Sequence, residues 1–331
     1  MPTLPDVAVI MPVLNEENYL ASAINAILAQ NYAGNIRIVL ALGPSTDKTN
    51  EVAADLQSQD PRISTVENPS GRTPDGLNAA LAATTESVIV RVDAHSELSA
   101  DYLTIAAQTL ARTGADNVGG VMAAKGRSAF ESAVATAMTS KLGVGGASFH
   151  VGGSEGPAET VYLGVFRRSA LERVGGYDPN FTRAQDWELN FRIRSTGGTV
   201  WFNPALHVTY RPRSSARALA KQYFQYGQWR RKVMREHPET TRTISALRYF
   251  APPLAVLGIV FGTLMGLVGA YLSTWPLVFW GFLAPVGYLG LVLLATLTLA
   301  KKAGKAILHL PSVLILMQIS WGLGFLTSPK S

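Results

Sequence analysis

The sequence predicts an α/β protein, a mostly parallel sheet with helices on both faces, followed by C-terminal membrane helices. Three observations support this. Short apolar runs alternate with helically spaced segments from Val7 to Val92, the pattern of strands joined by crossover helices. From Ala251 onward almost every residue is apolar, apart from a cluster at Lys301, Lys302 and Lys305. Between these regions lies a strongly basic stretch. The 331 residues therefore divide into an α/β domain over 1–210, a basic aromatic segment over 211–249 and a membrane part over 250–331.

Val7 to Met11 is an apolar run ending at Pro12, as expected of a buried parallel strand. Glu16 to Gln30 follows with Leu20, Ile24, Ile27 and Leu28 at helical spacing. Ile36 to Leu42 reads as the second strand, Thr46 to Gln59 as a helix and Ile63 to Val66 as the third strand. Asp75 to Thr85 is helical, and Ser87 to Val92 forms a fourth strand running into Asp93-Ala-His95. Ligands of such sheets bind beyond the carboxyl ends of the strands, where Asn15, Ser45, Asp47 and Asp93 fall.

Ala251 to Leu272 carries no charge and spans roughly 33 Å as a helix, enough to cross the hydrocarbon core. Leu277 to Leu299 is a second run, with Pro285 as an expected kink. Ile307 to Phe325 is a third, shorter one carrying His309, Pro311 and Gln318, which either spans or lies re-entrant or at the interface. The turn 273–276 is uncharged, whereas three lysines separate the second and third runs. By the positive-inside rule the lysine loop is cytoplasmic. Met1 to Asp6 has no basic segment followed by an apolar one, so no leader is expected. The expectation is a multi-pass protein of the cytoplasmic membrane with its α/β domain facing the cytoplasm.

The chain has no cysteine, which excludes disulfides and thiolate metal sites. Arg211, Arg213, Arg217, Lys221, Arg230, Arg231, Lys232, Arg235, Arg242 and Arg248, against Glu236 and Glu239, supply more than the net charge of +6. Tyr223, Phe224, Tyr226 and Trp229 run through this stretch. Basic and aromatic residues beside membrane spans suit anionic lipid headgroups; nucleic acid is not expected, because the charge is localised there.

Asp93 and His95 follow an apolar strand, so their side chains are expected on one side. A carboxylate and an imidazole can hold Mn2+ or Mg2+ on the oxygens of a diphosphate, the imidazole favouring manganese. The same triplet also suits an ordinary surface turn. Asp186 and Glu188 lie among apolar and aromatic residues, where a carboxylate can serve as general base on a hydroxyl. Equally, Asp186 could simply open a helix. Gly143-Val-Gly-Gly146 and Gly175-Gly-Tyr-Asp178 read as glycine turns, and His150 has no context for catalysis.

Together these pieces resemble the inverting family 2 glycosyltransferases, whose catalytic domain has the Rossmann-like fold called GT-A. Pro12 to Glu16 resembles the family's first nucleotide-binding strand end, and Ser45 to Thr49 the second. Asn68 to Asn78 resembles the loop carrying a basic residue, here Arg72, toward the nucleotide. Asp93-Ala-His95 stands where the family has Asp-x-Asp, and Gly175 to Asp178 followed by Gln185 and Asp186 resembles the segment with the catalytic base. Arg91 to His95, Gly114 to Gly120, Gly143 to Ala147, Asp186 to Asn190 and Tyr210 to Ser214 are similar to a branch typified by a succinoglycan-biosynthesis glucosyltransferase.

The resemblance implies a metal-dependent hexosyltransferase taking a nucleotide-sugar donor, with Asp186 as catalytic base. It implies donor contacts from Pro12, Asn15, Glu16, Asp47, Arg72, Asn78 and Asp93, and a metal on Asp93 and His95. Trp187, Glu188, Gln228, Trp229 and Arg230 are the implied acceptor or product-phosphate residues. A lipid-linked or glycan acceptor in polysaccharide or cell-envelope synthesis follows, with uridine as the expected base. The turn Leu42-Gly-Pro-Ser45 lacks the acid that usually reads that base, and Gln225 to Trp229 only partly matches the Gln-x-x-Arg-Trp of processive synthases, so single-sugar addition is expected. The rival readings are a polyprenyl-phosphate sugar synthase, whose ionised acceptor needs no base, and a non-catalytic membrane scaffold.

Overall fold

The computed structural model describes residues 4–241 and 244–329; Arg242 of the basic segment and Met1–Thr3 lie outside the described residues. The chain forms two compact units. Residues 1–123 and 147–211 make the first, and residues 124–146 and 212–331 the second.

The first unit contains β1 (Val7–Val13), α1 (Leu20–Leu28), β2 (Ile36–Leu42), α2 (Thr49–Gln59), β3 (Ile63–Glu67), α3 (Thr73–Ala82), β4 (Val88–Arg91), β5 (Glu97–Leu98), α4 (Tyr102–Thr113) and β6 (Asn117–Ala124). The chain then enters the second unit through α5 (Ala129–Met138) and α6 (Lys141–Val144). It returns for α7 (Ser148–Val151), β7 (Gly156–Pro157), β8 (Tyr162–Arg167), α8 (Arg168–Arg173), α9 (Gln185–Ser195) and β9 (Val200–Tyr210).

The strands join in the order β3-β2-β1-β4-β8-β6-β9-β5, with β7 paired to β9. From β3 to β4 every pairing is parallel, as the alternation of strands and helices predicts. Beyond β4 the sheet becomes mixed, with β8 antiparallel to both β4 and β6. Strand alternation sorts the core into two layers. Val7, Val9, Met11 and Val13 pack with Leu20, Ile24, Ile27 and Leu103 on one face. Ala8 and Ile10 pack with Leu77, Ala80, Leu189 and Ile193 on the other.

Pro12 lies inside β1 rather than ending it. Ile10 O accepts from Val92 N on the β4 side, and the β1–β4 register ends at Ile10 opposite Arg91. Pro12, two residues on, turns its nitrogen to that same side beyond the ladder, so its missing N–H leaves no gap. Three helices also begin away from their expected positions. α1 opens at Leu20, because Glu16 and Glu17 are held in the preceding loop, and α2 opens at Thr49 for the same reason. α3 opens earlier, at Thr73, with Pro74 in its first turn, where a missing N–H is tolerated.

The second unit contains α10 (Ala216–Glu236), α11 (Ala251–Tyr271), α12 (Trp275–Ala303) and α13 (Leu310–Leu326). α11, α12 and α13 correspond to the three apolar runs. Two stretches are long and apolar enough to cross a membrane: Leu247–Tyr271, and Trp275–Leu326 with the 3-10 turn Gly304–His309 inside it. Pro285 sits within α12 and does not end it. Large side chains such as Phe261, Trp280, Leu291 and Leu294 are exposed, a surface suited to hydrocarbon. α5 packs against α12 and α13, burying Ala133, Val134, Ala137 and Met138.

Candidate functional site

The ends of β1 and β2 are tied together first. Asn15 has a φ of 56°, a left-handed conformation that asparagine tolerates better than most residues. Its N–H donates to Ser45 Oγ at 3.1 Å, and its Oδ1 accepts from Thr46 N at 2.8 Å. Glu16 N donates to Thr49 Oγ1 at 2.7 Å, and Glu17 N to Asp47 Oδ2 at 3.3 Å. Asp47 Oδ1 accepts from Thr49 N at 3.0 Å. These hydrogen bonds, that of the Thr49 side chain foremost, hold the Asp47 carboxyl below its usual range. Asp47 thus organises the opening of α2 and the Glu17 loop.

Arg72 and Asn78 fasten the third loop to the segment before α9. The half-exposed Arg72 guanidinium pairs with Asp75 at 2.7 Å and reaches Pro179 O at 3.5 Å. Asn78 Nδ2 donates to Tyr177 O at 2.7 Å, while Tyr177 N donates to Asn78 Oδ1 at 2.8 Å. Gly176 lies against this clamp with a φ of 73°, and an added Cβ would meet Asn78 Oδ1 at 2.7 Å. The glycine turn is therefore required by backbone geometry and close approach.

At the end of β4 the chain does not stay extended. Ser96 N donates to Asp93 O at 2.9 Å, closing a turn over Asp93-Ala-His95, so strand alternation is not what relates the two side chains. His95 Nδ1 lies 2.8 Å from Glu16 Oε1, a contact that sets the ring orientation. Asp93 Oδ1 accepts from Arg91 Nη2 at 3.0 Å. Burial pulls the Asp93 carboxyl up, but Arg91 first, then His95 and Arg183, outweigh it and hold it below the usual range.

Arg91 is the residue whose role sequence reasoning missed. β4 sends Val88 and Val90 to the α1/α4 layer and Ile89 to the α9 layer. Arg91 shares the parity of Ile89 and so faces α9. There its Nη1 makes an ion pair with Asp186 Oδ1, in the first turn of that helix. The Arg91 side chain is 4% exposed. A lone buried charge costs several kcal/mol, so its two carboxylates are what allow it to stay ionised. The signal available in the sequence was a full charge in the last position of an otherwise apolar strand.

The structure thus brings Asp93 and Asp186 onto one buried cation, Arg91, at the end of β4, while His95 pairs with Glu16. Trp187 stacks on Phe191 with ring centroids 5.6 Å apart. Glu188 lies in an ion pair within α9. It is 1% exposed, and its two oxygens meet Arg192 Nε and Nη2, each at 2.6 Å, a pair that anchors α9. Gln228, Trp229 and Arg230 belong to the second unit, on α10. Arg230 lies over the Tyr249 ring at 4.1 Å, Lys232 lies over Trp229 at 4.8 Å, and Gln228 O accepts from Ser328 Oγ.

Among the described residues, no three acidic or histidine side chains gather to hold a metal ion by themselves. Asp93 and His95 supply a carboxylate and an imidazole, a donor set that fits manganese or magnesium when a diphosphate completes the coordination.

Comparison with known proteins gives a consistent picture. The sequence profile of glycosyl transferase family 2 matches residues 8–175. The succinoglycan biosynthesis protein ExoA of Rhizobium meliloti (strain 1021) is 34% identical over 282 residues, covering 85% of this chain and 83% of its own. A dolichyl N-acetyl-alpha-D-glucosaminyl phosphate 3-beta-D-2,3-diacetamido-2,3-dideoxy-beta-D-glucuronosyltransferase of Methanococcus voltae is 26% identical over 230 residues, covering 67% and 71%. Among solved structures, the mannosyltransferase PcManGT from Pyrobaculum calidifontis, in complex with GDP-Man and Mn2+, superposes with a TM-score of 0.58. It is 20% identical, with 96% of this chain and 88% of that one covered, a likeness of fold.

Proposed function

This chain belongs to glycosyl transferase family 2, and from that premise we propose that it adds a single sugar, with inversion, from a nucleotide-diphosphate sugar to a membrane-associated or lipid-linked glycan. The reading is carried by one observation: Asp93 and Asp186, from separate segments, meet at Arg91, the last residue of β4. A donor-holding carboxylate and a base must lie on either side of the reacting carbon, and this arrangement is suited to that.

Asn15, Glu16 and the Ser45–Asp47 loop frame the nucleotide side, with Pro12 in the strand beneath them. Arg72 and Asn78 steady the loop opposite, the exposed guanidinium of Arg72 being available to a phosphate. Asp93 and His95 would hold a divalent ion, which when bound neutralises charge on the departing diphosphate. Asp186 takes the proton from the acceptor hydroxyl as its oxygen attacks the anomeric carbon. Trp187, beside Asp186, offers an aromatic face to the acceptor.

The R. meliloti relative is named for succinoglycan biosynthesis, and the M. voltae relative for a dolichyl sugar phosphate, which together support a lipid-linked glycan acceptor. The apolar C-terminal stretches support a multi-pass chain in the cytoplasmic membrane, the lysine loop and the catalytic unit facing the cytoplasm. UDP-glucose is our first candidate donor. The solved mannosyltransferase binds GDP-Man with Mn2+, so guanosine donors belong in the same test.

Membranes carrying the chain should transfer label from one of radiolabelled UDP-glucose, GDP-mannose or dTDP-rhamnose into lipid-extractable material. EDTA should abolish that transfer and Mn2+ restore it. Transfer from none of a full panel of such donors would overturn the proposal. Transfer indifferent to EDTA would remove the metal from it.

A further inference from the structure

The geometry points to Arg91 as the positioning residue of this site, a buried strut that fixes the start of α9, and with it Asp186, against the end of β4. The inference rests on the reading of Asp186 as base, and it concerns how that base is held.

Arg91 reaches two carboxylates from two elements, Nη2 to Asp93 and Nη1 to Asp186. A planar guanidinium can span both; a lysine ammonium on the same stem is a single point charge and cannot. The two ends of the bridge are not held alike. Asp93 is fixed by backbone, with Val92 N on Ile10 O at 3.1 Å and Ser96 N on Asp93 O at 2.9 Å. Asp186 instead follows Ala184, which has a φ of 57° and gives α9 no side-chain cap. Non-glycine residues occupy that region at a cost, so the entry to α9 needs an outside contact to hold it. Arg91 supplies that contact.

Arg91 Nε is buried and has no hydrogen-bond partner among the described residues, so the side chain is not fully satisfied by its pairs. An apolar residue here would avoid that desolvation cost but leave Asp93 and Asp186 without their shared cation, so the guanidinium holds the two carboxylates in place at a cost of its own. Loss of the strut should therefore displace Asp186 while leaving Asp93 and the donor side in position. A displacement of about 1 Å is enough to cost on the order of 100-fold in rate.

The test uses the full chain in detergent. Transfer from the labelled donor identified among UDP-glucose, GDP-mannose and dTDP-rhamnose is measured for Arg91→Lys and wild type. We expect kcat to fall by about 10- to 100-fold while the donor KM stays within about threefold. Melting is measured in parallel for Arg91→Met, Asp186→Asn and the double variant. Arg91→Met should lower Tm by on the order of 10 °C, and adding Asp186→Asn should recover part of that loss, because one uncompensated carboxylate is removed. Unchanged kcat in Arg91→Lys, a matched loss in kcat and KM, or strictly additive melting shifts would each overturn the strut. A wild-type chain inactive with every donor would remove the transferase reading alone, and the melting cycle would then decide for or against Arg91.

Discussion

Asp186, the proposed base, has Arg91 as its counter-charge and keeps 26% of its side chain exposed, where an acceptor hydroxyl can reach it. Replacing it with asparagine keeps the shape and removes the base. Turnover of Asp186→Asn should fall by roughly 10²- to 10⁴-fold while nucleotide affinity, read by calorimetry with UDP and GDP in the presence of Mn2+, stays within about threefold of wild type. Full activity with a lipid-phosphate acceptor would instead assign an acceptor already ionised. His150 offers a second test at this scale. Burial depresses its pKa to about 4, its Nδ1 has no hydrogen-bond partner among the described residues, and its ring lies 4.2 Å from that of Phe149. Because the folded value lies below the ordinary 6.5, the unfolded chain takes up the proton first as pH falls. Stability should thus be lost between about pH 6.5 and 4, by up to about 1.4 kcal/mol per pH unit. His150→Phe should flatten that slope in melting curves taken from pH 7.5 to 5, and an unchanged slope would remove His150 as its source.

Among the elements, α9 depends on contacts beyond its own hydrogen bonds. Its first turn carries Asp186, its interior is locked by the Glu188–Arg192 pair, and Arg192 also donates to Val174 O. Removing one partner of such a buried pair typically costs about 3–5 kcal/mol. Glu188→Gln should accordingly lower the melting temperature markedly, with any remaining folded enzyme keeping its donor KM; a large KM change with unchanged melting would restore Glu188 as a substrate contact. The Asn78 clamp on Tyr177 works the same way for the loop that leads into α9. Asn78→Ala leaves the buried Tyr177 N–H and C=O without their partners, at about 1–3 kcal/mol. Asn78 and Glu188 both make structural contacts, and composition alone cannot separate that from ligand contact.

Over the whole molecule, residues 124–146 interrupt the catalytic unit and pack with the C-terminal helices. A chain ended at Tyr210 would keep α5 but lose α12 and α13, against which α5 buries its apolar face. Such a truncation should aggregate, and size-exclusion chromatography beside the full chain in detergent tests this. The lack of cysteine makes orientation measurable by single substitutions. Thr274→Cys should react with an impermeant thiol reagent on intact cells, and Lys305→Cys only after lysis; the reverse pattern would invert the proposed topology.

Local periodicity and composition were enough for the parallel half of the sheet, the apolar C-terminal stretches and the candidacy of Asp93, His95 and Asp186. Each of these is a property of neighbouring residues: alternation along a strand, spacing along a helix, a polar residue at a strand end. The tertiary structure alone decided the antiparallel half of the sheet, the membership of α5 and the convergence of Asp93 and Asp186 on Arg91. The reason is physical. These features depend on pairings between segments far apart in the chain, and the energy of a buried charge is set by which partners reach it. Arg91 stood in plain view in the sequence, but its neighbour Asp186 lies 95 positions away, and only folding brings the two together.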